Sequence, residues 1–299
     1  MCADKTDSVF KFASADTAVQ ILSNGTLRWS APDCFRDPLE LSHVTPLSFE
    51  LNSFLDSTIK LATSMIFAPE TPKGDSPLIN AIVRWRDDER FANAAEAQPI
   101  LRELLGKMVN YRLEQLHISL SKWQMYIRNL RLSCFCQHLD NPANWEQFAE
   151  QHRGIALRFE RENSSWENLR PVVYQSERPQ LTSLREQLGA LLHNRPDTVS
   201  QRFQELFFIK APHHQSESEW RASSTAKQEV PLHNNDWQQW YEDRPFPSAA
   251  LTGIYLGLGT TEEMKERVLQ LAQQHFPQSK TFQARLGKTG YNLEFEKLR

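Results

Sequence analysis

No stretch of the 299 residues stays apolar over the roughly 18 positions that a membrane span needs. The opening, MCADKTDSVF, has no apolar core of a secretion signal, so neither a signal peptide nor a membrane partner is expected. Cysteine is scarce: Cys2, Cys34, Cys134 and Cys136 make no secreted disulfide pattern, and a reducing cytoplasm is expected. The CxxC knuckle of structural zinc sites is absent too. Cys134, Cys136, His138 and His152 therefore read as core and loop residues, and no metal is expected at them. Neither sign of charge dominates, since the net is −3, so nucleic acid is not indicated by charge. Gly287-Lys288-Thr289 lacks the upstream glycine of a phosphate-cradling loop, and no helix follows it. Internal repeats and low-complexity segments are also missing. What is left is a chain of mixed charge, long enough to bury a substantial core.

The stretch from residue 10 to 40 organises the reading. Phe10-Lys11-Phe12 alternates as a short strand. Ser14 and Asp16 offer caps to a helix whose apolar face is Ala18, Val19, Ile21 and Leu22, and Gly25 ends it. A second strand over 27–30 stops at Pro32. Phe35-Arg36-Asp37-Pro38-Leu39-Glu40 then sets two carboxylates around a proline. Pro38 fixes its own φ and restricts Asp37, so the acids are held rather than loose. Helical spacing follows at 51–67, from Pro77 to about 85, and from Pro99 to about 130 with a break near Gly106. Strand character returns at 132–136, 155–159 and 172–174. Residues 181–192 and 198–207 read as helices, and 228–246, with Trp237, Trp240 and Tyr241, as a polar loop. A strand at 251–258, a helix through Met264, Val268, Leu271 and Ala272, and two closing strands complete the chain.

A second unusual cluster is His213-His214-Gln215-Ser216-Glu217-Ser218-Glu219-Trp220-Arg221. In an extended chain Glu217, Glu219 and Arg221 share one face, because strand side chains alternate. Fixed acids need partners if they are partly buried. The elbow of Asp37 and Glu40 is therefore expected beside the Glu217–Glu219 segment, with Arg221 paired to one of its acids. The fold expected is a single α+β domain over 1–299, with a mixed, mainly antiparallel sheet. Its parts are the strand–helix–strand and elbow at 8–40, a helical insertion at 45–130 packed on one side, and the remaining sheet and helices at 131–299.

Three of these stretches carry a resemblance. Phe35, Asp37, Pro38 and Glu40 resemble the Phe-Asn-Asp-Pro-x-Glu elbow that opens a bacterial family known as domain of unknown function 2971, with Arg36 in place of Asn. Trp145, Phe148, Ala149, His152 and Gly154 resemble its central motif, and Lys210, Glu217, Glu219 and Arg221 its Lys, Glu-x-Glu and Arg segment. The strand–helix–strand opening and late Glu-x-Glu strand are more distantly similar to ADP-ribosyltransferases. That similarity implies a split β core holding NAD. Glu219 would stabilise the positive charge developing on the ribose, and Glu217 would orient or deprotonate an acceptor. Lys11, Ser30, Arg221 and Lys210 would contact ribose or phosphates. The implied role is that of a toxin or defence enzyme acting on a small-molecule or macromolecular acceptor. Two alternatives stand beside it. Asp37, Glu40, Glu217 and Glu219 could hold one or two divalent metals for phosphodiester hydrolysis. Or the chain is a non-catalytic interaction module in phage defence or stress response, anchored by Trp237, Trp240 and Tyr241.

Overall fold

A computed structural model describes residues 8–298 apart from 36, 38, 39, 41–46, 48, 52, 163–165, 167, 197 and 232–235, so Pro38 of the elbow lies outside the described residues. Strand β1 (Ser8–Ala13), helix α1 (Ala15–Asn24) and strand β2 (Thr26–Ser30) come first. Helices α2 (Ser53–Phe67), α3 (Pro77–Asp87) and α4 (Ala94–Asn129) follow. Next are β3 (Leu130–Cys136), α5 (Pro142–Phe148), β4 (Ile155–Glu160), β5 (Arg170–Pro171) and β6 (Val173–Tyr174). Helices α6 (Leu184–Leu192) and α7 (Phe203–Leu206) precede β7 (Ile209–Lys210), β8 (Glu219–Thr225), β9 (Tyr241–Pro245) and β10 (Leu251–Leu256). Helix α8 (Glu262–His275), β11 (Lys280–Leu286) and β12 (Leu293–Lys297) end the chain. The chain divides into two compact units, one of residues 1–42, 127–178 and 208–299 and one of 43–126 and 179–207. The architecture is α+β, with a mixed and mostly antiparallel sheet.

The first unit carries the sheet, in the order β12-β11-β10-β4-β1-β3-β2-β9, with β8 branching from β3 and β5 pairing β8. β10 and β11 run parallel, and the other paired strands of this sheet run antiparallel. β1 pairs β4 along its whole length, from Ser8↔Glu160 to Ala13↔Ile155. Its register with β3 is the one pair Phe10↔Cys136, and β2 meets β3 at Ser30↔Leu132. β3 instead gives its length to β8, from Leu130↔Thr225 to Cys136↔Glu219. The sheet is therefore split between β1 and β3. Helices α1 and α8 bury Ala18, Ile21, Leu22, Val268, Leu271 and Ala272 in a core that includes Val9, Leu157 and Ile254. Phe10, Phe12, Trp145, Tyr255 and Leu293 form a second cluster. Alternation along β1 sends Val9 and Phe10 into different clusters, as a strand buried on both faces requires. Helix α1 starts where Ser14 Oγ accepts the Thr17 N–H and stops at Gly25, whose φ of 62° is left-handed.

Tyr241–Pro245 corrects the expected loop. It pairs with β2 from Thr26↔Pro245 to Ser30↔Tyr241. YEDRP shows no apolar alternation, so the strand is held by backbone pairing and cross-strand charge. Arg28 bonds Asp243 at 3.1 Å and lies 4.2 Å from the Tyr241 ring.

The second unit is helical. Phe54, Ile59, Ala62, Ile66, Leu78, Ile82, Ala97, Leu101, Leu105 and Val109 form its core. Helix α4 departs from expectation: it begins at Ala94, contains Pro99 and runs unbroken through Gly106. Asn93 Oδ1 accepts the Glu96 N–H at 3.0 Å, and that cap outweighs the proline as a start signal. Pro99 sits in the second turn, where it forfeits the bond to the Ala95 carbonyl and its ring crowds that oxygen. Ala97, Leu101, Leu105, Val109, Leu116 and Trp123 are buried along it, while Leu104, Tyr111 and Ile118 are exposed. Residues 198–207 shorten to a 3-10 turn and the single turn of α7. No helix among the described residues is long and apolar enough to cross a membrane.

Candidate functional site

A cavity of about 430 Å³ opens where the sheet splits. Phe10, Lys11 and Phe12 of β1 line it on one side, and Cys134, Phe135 and Cys136 of β3 on the other. Phe35, Asp37 and Glu40 come from the elbow, Gln147 and Phe148 from the end of α5, and Lys210, His214, Glu217, Glu219 and Arg221 from the second charged cluster. Lys11 Nζ crosses the gap to the Cys134 carbonyl at 2.8 Å. Its volume falls within the range of small-molecule sites, and its wall is aromatic with a few convergent charges.

Local sequence explains how the charges converge. Ala211-Pro212 starts a 3-10 turn over Pro212–Glu217, with proline at its first position, and Ser218 ends it at φ 46°. Strand β8 begins only at Glu219, so the expected strand from 217 is corrected: Glu217 closes a turn. The left-handed Ser218 redirects the chain, and its carbonyl accepts the Gln137 N–H at 2.9 Å. Asn144 Nδ2 holds the Glu217 carbonyl at 3.3 Å. β7 pairs in parallel with β6, which sets Lys210 opposite Tyr174. The Tyr174 hydroxyl in turn accepts the Glu219 N–H at 2.8 Å.

The side chains form one network. Glu219 Oε1 accepts from Arg221 Nε at 2.7 Å, and its Oε2 from Arg221 Nη2 at 3.0 Å and Lys210 Nζ at 3.1 Å. Lys210 Nζ also donates to Glu217 Oε2 at 2.8 Å and stands 3.8 Å from Glu40. Arg221 Nη2 donates to Glu40 Oε1, and its guanidinium lies 5.3 Å from the Phe35 ring. His214 bridges the last two acids, with Nδ1 2.6 Å from Glu217 Oε1 and Nε2 3.0 Å from Asp37 Oδ2. Glu217, Glu219 and Arg221 are all buried. Burial works against the Glu219 carboxylate, yet Arg221 and Lys210 hold it at about 2. Burial likewise opposes charge on Lys210 and Arg221, and the surrounding acids override it and raise both. The Cys134 and Cys136 thiols are pushed up by burial and then by Glu219, so they stay protonated and are poor nucleophiles. Burial, reinforced by the nearby acids, carries the Tyr174 phenol to about 12.

The structure thus brings together Lys11, Phe35, Asp37, Glu40, Lys210, Glu217, Glu219 and Arg221. Ser30 is a correction: it ends β2 opposite Leu132 and Tyr241 and is not among the lining residues. Trp145, His152 and Gly154 are also away from the lining, and their work is structural. Trp145 is fully buried, donates to the Leu139 carbonyl at 2.6 Å and packs edge-on against Phe12. His152 has φ 66° and its carbonyl accepts the Gly259 N–H. A Cβ on Gly154 would lie 2.2 Å from the Ala13 carbonyl oxygen. Trp237 is exposed and its ring lies tilted 5.9 Å from that of Tyr241, while Arg128 lies 4.9 Å from the Trp240 ring.

By sequence, His214 has a place in the charged cluster but no role, and Tyr174 has neither. His214 stands three residues before Glu217, and Pro212 marks the turn that stacks positions i and i+3. That spacing was a usable signal. Tyr174 had none, since its contact comes from the pairing of β6 with β7. The four acids are already engaged by Lys210, Arg221 and His214, so a metal bound by the acids alone would have to displace those partners. No family model, no characterised protein and no solved structure matches the chain.

Proposed function

We propose that the cavity is the active site of an ADP-ribosyltransferase-like enzyme that binds NAD and breaks its nicotinamide–ribose bond. One observation carries the reading. Two carboxylates, Glu217 and Glu219, are fixed at a split in the sheet by Lys210 and Arg221, beside a wall of phenylalanine rings. When the glycosidic bond breaks, its electrons leave with the nicotinamide nitrogen and the anomeric carbon becomes cationic; water or an acceptor hydroxyl or amine then bonds that carbon and gives up a proton. A preorganised carboxylate in a cavity stabilises that charge far more than water does.

The bonds each acid already makes support different duties for the two. A carboxylate offers about four acceptor positions. Glu219 fills three on Arg221 and Lys210. Glu217 accepts from Lys210 and faces His214, which leaves capacity for a ribose hydroxyl. In this reading Glu217 meets the sugar, and Glu219 positions the two cations. Phe12, Phe35 and Phe148 offer faces for the nicotinamide ring.

The test is isothermal titration of the full chain with NAD, followed by chromatography of the incubated mixture for free nicotinamide. Saturable binding and nicotinamide release are expected. No heat of binding up to millimolar NAD, together with no release, would remove the proposal.

A further inference from the structure

His213 and His214 are neighbours in the 3-10 turn Pro212–Glu217, and their rings lie 4.1 Å apart. One ring nitrogen of each and one carboxylate oxygen of Asp37 all lie within 4.8 Å of one another. The second observation concerns how His214 is held. Its Nδ1 is 2.6 Å from Glu217 Oε1, and Glu217 is itself buried and bonded to Lys210 Nζ at 2.8 Å. Its Nε2 points the other way, to Asp37 Oδ2 at 3.0 Å. A metal-ligating histidine is typically fixed like this, with one ring N–H donated to an anchored carboxylate and the other nitrogen offered to the ion.

We infer that Asp37, His213 and His214 form a binding site for a divalent transition-metal ion of the zinc class, with Glu217 orienting His214. Two imidazoles and one carboxylate suit zinc or a neighbouring first-row ion better than magnesium or calcium, which prefer oxygen alone. Around zinc at about 2.0–2.2 Å, ligand atoms stand about 3.3 Å apart. The Asp37–His214 pair, at 3.0 Å, is a few tenths of an ångström short of that spacing, and a rotation of the exposed His213 ring would bring in the third ligand. Asp37 and His214 line the cavity, so the ion would sit in its wall, with its remaining positions open to water or to an oxygen of a bound molecule. This ligand set differs from the four acids considered from the sequence. It keeps Asp37 and drops Glu40 and Glu219, which are committed to Arg221 and Lys210.

The inference goes beyond the NAD reading and does not depend on it, so its test contains no nucleotide. Untagged full-length protein is stripped with a chelator and titrated with Zn²⁺ by calorimetry, and the bound metal is counted by elemental analysis. One equivalent per chain with micromolar or tighter affinity is expected. His213→Ala should weaken binding at least tenfold and leave the melting temperature of the metal-free protein unchanged, because that side chain is exposed. Asp37→Asn should weaken it similarly, and Glu217→Gln by about 10–100-fold through His214. Absence of saturable binding would overturn the site. So would His213→Ala and Asp37→Asn proteins that bind like wild type, since the ion would then sit elsewhere, for example on the exposed Cys34.

Discussion

The two units bury different things. The helical unit is filled by Phe54, Leu78, Leu101, Leu105 and their neighbours, and its buried Arg112 is answered by Gln187 at 2.8 Å and the Arg195 carbonyl. The sheet unit buries Glu217, Glu219 and Arg221 in one ionic network beside a cavity. Burying ions costs several kcal/mol each, and apolar residues of like volume often serve stability as well or better. An apolar core needs no explanation beyond folding. An ionic cluster that borders an open cavity is better explained by what it does there, and that contrast is what the site assignment rests on.

The contrast can be broken by substitution. Arg221→Met leaves Glu219 and Glu40 facing each other without their main cation. It should cost about 3–5 kcal/mol in denaturant unfolding. Adding Glu219→Met should restore part of that loss, because the stranded charge is removed as well. Leu101→Ala in the helical unit should cost about 2–5 kcal/mol from lost packing and a cavity. There, no loss of a neighbour should rescue it. If the double variant is no better than Arg221→Met alone, the ionic network is not a coupled unit.

Acid sharpens it next. Glu219 is held at about 2, against 4.5 for an ordinary glutamate. A depressed carboxylate contributes stability that is fully present above its unfolded value and lost as pH falls through its folded value. The loss should run from about pH 4.5 down to about 2, on the order of 3 kcal/mol. Glu219→Gln should flatten that part of the pH–stability curve.

Smaller effects separate fold from site. Gly154→Ala forces a methyl against the Ala13 carbonyl and should cost about 1–3 kcal/mol or more. That loss should appear in melting temperature and not in the rate per folded molecule. At the bottom of the range, Arg28→Ala removes an exposed pair with Asp243 and should cost about 0.2–1 kcal/mol.

Much of this was legible in the residues. Period-two and helical spacing located most strands and helices, because Val9, Ile21, Leu22 and Leu157 face one core. The elbow and the Glu-x-Glu segment were expected to meet through Arg221, and Glu40 does pair with it. What escaped has physical causes. β9 carries charges rather than alternating apolar residues, so its pairing with β2 left no pattern. Pro99 looked like a helix start because the stronger signal, the Asn93 cap, is a single side-chain bond. The residues around Ser218 suggest an extended chain, yet its left-handed turn brings Glu217 and Glu219 to the same lysine. Roles inside the network, His214 above all, depend on distances between residues far apart in sequence.

The most direct test compares Glu217→Gln with Glu219→Gln, measuring nicotinamide release from NAD per folded molecule and thermal melting on the same preparations. Glu217→Gln should lower the rate about 100–1,000-fold with little change in NAD affinity, since the charge it meets exists mainly in the transition state. Glu219→Gln should show its main loss in melting temperature, because it removes the acid that anchors Arg221 and Lys210. A Glu217→Gln protein that releases nicotinamide at the wild-type rate per folded molecule would contradict the assignment.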